Sequence, residues 1–237
     1  MKYIAEFVGS LIFLFGGYSY MCNISLKKTL VSKLNYIELA VAWSLAVGFG
    51  LAVAVIMGGP AYLNPGVVFG SIINGSLPIT EALIYLLMEF LAAGAAVLLC
   101  MVFFWDSFKA SPGMSKRGIF SAYPVEKNMV LNFIQEIIAT FAFLFLVFAS
   151  LKATSGDSAA LQIGVIGFAA VLILSLTLNS TGFSMNAMRS VFSSVWFALL
   201  PIPNKEGEKV DWAYQLIVNL IGSSIGGIAA VLVTGLF

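Results

Sequence analysis

The sequence predicts an all-α membrane protein in which six transmembrane helices and two re-entrant half-helices form two inverted repeats. Three observations predict it. The chain of 237 residues is 60% hydrophobic and 10% charged, with a mean hydropathy of +1.01, whereas a soluble domain carries about 25% charged residues. Six stretches supply the roughly 20 apolar residues needed to cross a hydrocarbon core about 30 Å thick. Two further segments are too short to cross and too apolar for water-exposed loops, and each reaches an asparagine before turning helix-compatible.

The first span covers residues 3–22. Glu6 interrupts its apolar region and no small-x-small cleavage site follows, so it reads as a span and not as a signal peptide. The second covers 36–57. The segment GGPAYLNPGVVFGSIING (58–75) then reads as a half-helix opening at Asn64, with small and turn-forming residues before it. A third span, 80–105, completes a first repeat of residues 1–106. The fourth and fifth spans cover 130–151 and 160–179. NSTGFSMNAMRSVFSSVWFALL (179–200) reads as a second half-helix opening at Asn186, and a sixth span, 212–236, closes a repeat of residues 128–237. AEFVGSLIFLFGG and QEIIATFAFLFLVFAS both place a glutamate, Glu6 or Glu136, second in an apolar helix. Three spans per repeat is an odd number, so the repeats within this single domain, 1–237, lie in opposite orientations, as in solute-conducting proteins.

Several function classes drop out. A net charge of +1 implies neither nucleic acid nor an anionic surface as partner. Cys22 and Cys100 lie at the ends of apolar runs without CxxC spacing, which points away from a disulfide framework and from a metal site. The chain has no histidine, which removes imidazole catalysis and proton relays. No nucleophile, base and orienting group stand at a workable spacing, so no catalytic residue, cofactor or enzymatic activity is expected.

What remains is a pore. Half-helices dipping in from opposite faces bring their N-terminal ends together at mid-membrane, where irregular backbone is tolerated only if buried in protein or lining a water-filled path. Each asparagine can cap its own helix through its side-chain oxygen while its amide hydrogens point into the lumen. The two positive helix ends repel cations, protons included. Arg189, three residues past Asn186, adds fixed charge and donors to the wall; snorkelling to an interface is the alternative. Glu6 and Glu136 are expected to accept hydrogen bonds from the exposed backbone of the broken segments; neutralisation by protonation or by other partners is the alternative. Glu89 in the third span has no counterpart in the other repeat.

On these residues the chain resembles the aquaporin and glycerol-facilitator family, the major intrinsic proteins. The resemblance covers nearly the whole chain through AEFVGS, YLNPGVVFG, EIIATFAFLF and TGFSMNAMRS. The last matches the family's Thr-Gly-x-x-x-Asn-Pro-Ala-Arg-Ser at every fixed position but two. The first box is Asn64-Pro65-Gly66 and the second Asn186-Ala187-Met188, so the helix-starting proline is absent from the second and Met188 replaces a smaller alanine.

The resemblance implies a passive homotetrameric channel, one pore per subunit, for water and small neutral solutes such as glycerol or other polyols. It implies a multi-pass location in the bilayer of the plasma membrane with both termini cytoplasmic. It also implies a selectivity filter of Trp43, Leu174, Phe183 and Arg189, with Phe49 as the alternative to Trp43 if the following loop is shortened. Phe183 matches glycerol-conducting members, and Leu174 occupies the position of a histidine in strict water channels. The Arg-Ser pair follows water channels, and Tyr214 and Gln215 match neither group. Lys27, Lys28, Lys33, Lys109, Lys116, Arg117, Lys127, Lys205 and Lys209 crowd the loops after spans one, three and five, against Lys2 and Lys152 opposite; the positive-inside rule alone would invert the orientation. Asn23-Ile24-Ser25 forms a glycosylation triplet in the first of those loops. A secondary transporter, which would need Glu6, Glu89 or Glu136 as a coupling site, and a non-conducting or gated structural member are the competing readings.

Overall fold

The computed structural model describes residues 1–29, 36–153, 159–177 and 182–236. Lys33 and Thr181, with the end of the predicted fifth span, lie outside the described residues. In chain order the first half holds α1 (Lys2–Ser25), α2 (Tyr36–Ile56), the half-helix α3 (Pro65–Ile73) and α4 (Ile79–Phe103). Two short connecting helices follow, α5 (Trp105–Lys109) and α6 (Arg117–Phe120). The second half repeats the order of the first. It holds α7 (Met129–Ala153), α8 (Ala159–Thr177), the half-helix α9 (Met188–Phe192 continuing as Ser193–Leu199) and α10 (Trp212–Thr234).

Five of these helices, α1, α2, α4, α7 and α10, are long and apolar enough to cross a membrane. The sixth, α8, is described over 19 residues, about 28 Å at the α-helical rise. Large apolar side chains such as Phe49, Ile56, Phe103 and Val130 stand exposed on the outer surface. That is expected of a chain whose solvent on that side is hydrocarbon.

Small residues let the helices close on one another. A Cβ at Gly9 of α1 would stand 2.7 Å from the Gly50 carbonyl oxygen of α2. At the other key crossing, a Cβ at Gly227 of α10 would meet the Gly66 carbonyl carbon of α3 at 2.7 Å. Glycine at position 66, in place of the family's alanine, therefore belongs to a backbone-on-backbone contact that seats the first half-helix. The second half-helix is anchored on α4 instead, where Trp196 Nε1 donates to the Phe90 carbonyl at 2.9 Å.

The two half-helices start differently. Asn64, in extended backbone (φ −159°, ψ 119°), accepts from Gly66 N at 2.9 Å, and Pro65 opens an α-helix. Asn186 accepts from Met188 N, also at 2.9 Å, so the cap survives without proline. The helix that follows opens with a wide turn in which Ser193 N reaches back five residues to the Met188 carbonyl. Wide turns of this kind concentrate at functional sites.

Candidate functional site

The segments leading into the half-helices share one backbone pattern. Ala61 (φ 56°) and Leu63 (φ 45°) precede Asn64, and Phe183 (φ 41°) and Met185 (φ 46°) precede Asn186. The left-handed region is unfavourable for all four residue types, so the surroundings must hold it. Two buried glutamates do. Glu6 accepts from Tyr62 N at 3.1 Å and Leu63 N at 2.5 Å, while Glu136 accepts from Ser184 N at 3.4 Å and Met185 N at 2.5 Å. Thr140 Oγ1 adds a donor to Glu136 at 3.5 Å. Both glutamates thus meet the backbone of the segment before an asparagine, at matching positions.

In a trans peptide the carbonyl points opposite to the N–H. Turning the Tyr62, Leu63, Ser184 and Met185 N–H groups onto the glutamates therefore turns the carbonyls of Ala61, Tyr62, Phe183 and Ser184 the other way. These residues line a cavity of about 660 Å³, and their carbonyls supply it with acceptors. Sequence reasoning missed them, because a backbone acceptor leaves no residue type to read; the matched glutamates were the available signal.

Asn64 and Asn186 line the same cavity. Their amides are not both turned wholly to the lumen, as the sequence suggested. Asn64 Nδ2 donates to the Met185 carbonyl at 2.9 Å, and Asn186 Nδ2 donates to the Leu63 carbonyl at 2.6 Å. One hydrogen of each amide thus braces the opposite loop, leaving the second for the cavity.

The cavity wall reaches from Tyr36, the first residue of α2, to Lys152 near the end of α7 and Gly235 just past α10. It therefore extends toward both ends of the helices, with the asparagine pair between. Trp43, Phe183 and Arg189 all line it. The Arg189 guanidinium lies 4.4 Å from the Trp43 ring centroid, and Arg189 Nη1 donates to the Gly182 carbonyl at 3.3 Å. Among the described residues no carboxylate forms an ion pair with it. Trp43 is wedged edge-on against Phe13 and Tyr18, and a Cβ at Gly17 would stand 2.0 Å from its ring. The Tyr18 hydroxyl lies between the Arg189 carbonyl, at 2.5 Å, and Ser193 Oγ, at 2.6 Å. Phe49 points outward, 62% exposed.

Leu174 is buried but does not line the cavity; from the same stretch of α8, Val171 and Ser175 do. The Tyr36 hydroxyl donates to the Ser175 carbonyl, tying the start of α2 to that wall. The Leu174 expected at the filter therefore lies on a different face of α8 from the residues that line the cavity. Met188 and Ala187 are fully buried and off the wall, and Pro65 and Gly66 are buried off it too, so the bulk of Met188 does not narrow the cavity. Among the described residues no cluster of three or more His, Cys, Asp or Glu is placed to hold a metal.

A model of the major intrinsic protein family matches residues 1–234. The chain belongs to that family. It is 34% identical over 240 residues to the glycerol uptake facilitator protein of Streptococcus pneumoniae serotype 4, covering 98% of this chain and 97% of that one. It is 31% identical over 232 residues to glycerol uptake facilitator protein 2 of Lactiplantibacillus plantarum, covering 96% and 95%. The aquaglyceroporin of Plasmodium falciparum superposes with a TM-score of 0.79 over 98% of this chain and 93% of its own, at 19% identity. That last likeness shows the fold of a major intrinsic protein: spans and paired half-helices in two halves.

Proposed function

We propose that this major intrinsic protein is a passive channel for glycerol and other small neutral polyols, with water passing by the same route. The observation that carries the reading is the Arg189 guanidinium held 4.4 Å from the Trp43 ring, with Phe183 on the same cavity wall. Such a filter offers apolar surface to a carbon backbone and charged donors to its hydroxyls. From α8, Val171 and Ser175 line the same cavity, and Leu174 packs away from it. The carbonyls of Ala61, Tyr62, Phe183 and Ser184, with the free amide hydrogens of Asn64 and Asn186, give a permeating polyol a line of alternating acceptors and donors. Exclusion of cations and protons follows from Arg189 and from the two half-helix N-termini converging on the asparagines.

The same reading has the protein as a homotetramer in the plasma membrane, with both termini cytoplasmic. Three of the cations on the opposite face, Lys205, Lys116 and Lys127, have structural partners there. Lys205 Nζ donates to the Phe197 and Ala198 carbonyls at the end of α9, at 2.7 and 2.9 Å. Lys116 Nζ donates to the Ser111 carbonyl at 2.6 Å, and Lys127 pairs with Asp211.

The test is reconstitution into liposomes. Vesicles shrunk in a glycerol gradient are expected to re-swell faster than empty ones, at a rate linear in gradient. Trp43→Ala is expected to lower discrimination between glycerol and larger polyols. A glycerol rate no higher than that of empty liposomes overturns the reading, and saturating flux coupled to an ion gradient replaces it with a transporter.

A further inference from the structure

Among the described residues, Glu89 is the one buried glutamate that the pore architecture has not used. It is fully buried on α4, and neither of its carboxyl oxygens has a hydrogen-bond partner of ordinary geometry among the described residues. The Glu6 carboxyl neighbours it closely enough for the two to interact. Among the described residues no lysine or arginine forms an ion pair with either carboxyl.

The other half of the molecule shows what is missing. There the loop-holding Glu136 receives a side-chain donor from Thr140, four residues on. Ser10 stands four residues after Glu6, yet its buried hydroxyl has no partner. The group that reaches Glu6 instead comes from α4, and it is a carboxyl.

Two carboxylates this close and fully buried repel each other when both are charged. A proton on one of them removes that repulsion and supplies a donor to the other. We propose that Glu89 is a positioning residue that carries this proton, donating a carboxylic-acid hydrogen bond to Glu6 and so fixing the loop that delivers Asn64 to the pore. The proton comes from water as the pair is buried and remains on Glu89; no bond to solute is made. Glu6 stays an acceptor for Tyr62 N and Leu63 N, and α4 becomes tied to the left-handed segment at residues 61–63. The functional consequence rests on Asn64 lining the permeation route; the protonation does not.

Infrared difference spectroscopy of the reconstituted protein, wild type minus Glu89→Gln, tests the proton directly. The expected result is loss of a carbonyl band of a protonated carboxylic acid, shifted in heavy water, with no matching loss of carboxylate bands. Glu89→Gln, whose amide can donate as the acid does, is expected to keep the glycerol re-swelling rate within about twofold, whereas Glu89→Leu loses the donor and slows it roughly tenfold. A difference spectrum that loses carboxylate bands, or no acid band, overturns the proposal, and so does a Gln variant as slow as the Leu variant. If wild type itself conducts no glycerol, the channel reading fails while the infrared result still decides the state of the Glu6–Glu89 pair.

Discussion

Asn64 and Asn186 brace each other's loops: each caps its own half-helix through Oδ1 and donates through Nδ2 to the carbonyl just before the other asparagine, at 2.9 and 2.6 Å. The pair is therefore a structural clasp as well as a pore lining, and the two roles separate by mutation. Asn186→Asp keeps the cap acceptor and loses the donor to Leu63; Asn186→Ala loses both. Thermal unfolding in detergent is expected to rank wild type above Asp above Ala. The Ala variant should lie roughly 2–4 kcal/mol below wild type, the sum of a lost cap and a lost buried hydrogen bond.

Gly17 sets the position of Trp43. An alanine methyl there would stand 2.0 Å from the ring, and the ring is hemmed in by Phe13, Tyr18 and the Arg189 guanidinium. Gly17→Ala is expected to displace the indole into the cavity. Glycerol re-swelling should fall about tenfold, a change of roughly 1.4 kcal/mol, with little change in water-driven shrinkage. Stopped-flow light scattering on the two gradients separates these rates.

Gly227 faces the backbone of Gly66, so neither side can yield to a side chain. Gly227→Leu is expected to unseat α3 and destabilise the fold by roughly 1–3 kcal/mol or more, as overpacking of a close contact does. The check is the unfolding midpoint in detergent beside that of Gly235→Ala, a glycine past the end of α10. If the two variants unfold together, the contact at Gly66 does not seat the half-helix.

Asp211 ties the loop before α10 to Lys127 and caps that helix, accepting from Tyr214 N at 3.2 Å. The Lys127 hydrogen bond holds the Asp211 carboxyl below its ordinary range. A carboxyl depressed in the folded state contributes stability above its unfolded value, near 3.9, and loses it as pH falls through the folded one. Wild type is therefore expected to lose thermal stability on acidification below about pH 4. Asp211→Asn should start lower at neutral pH and decline less, as read from melting curves across pH.

The sequence by itself determined the membrane class, the spans, the paired half-helices led by Asn64 and Asn186, and the pairing of Glu6 and Glu136 with broken backbone. Hydrophobic runs, caps and isolated charges in apolar surroundings are local signals, each costly to place anywhere but where it occurs, so they can be read one residue at a time. Tertiary structure alone decided that Val171 and not Leu174 faces the cavity, that Met188 packs away from it, and that Trp43 and not Phe49 meets Arg189. A helix presents a different face every residue, and which face meets the pore depends on how the loops set its rotation. Tertiary structure also decided the asparagine clasp, the carbonyl lining and the meeting of Glu89 with Glu6, each joining segments 48 to 123 residues apart. Such contacts follow from the packing of whole helices, which no local pattern records.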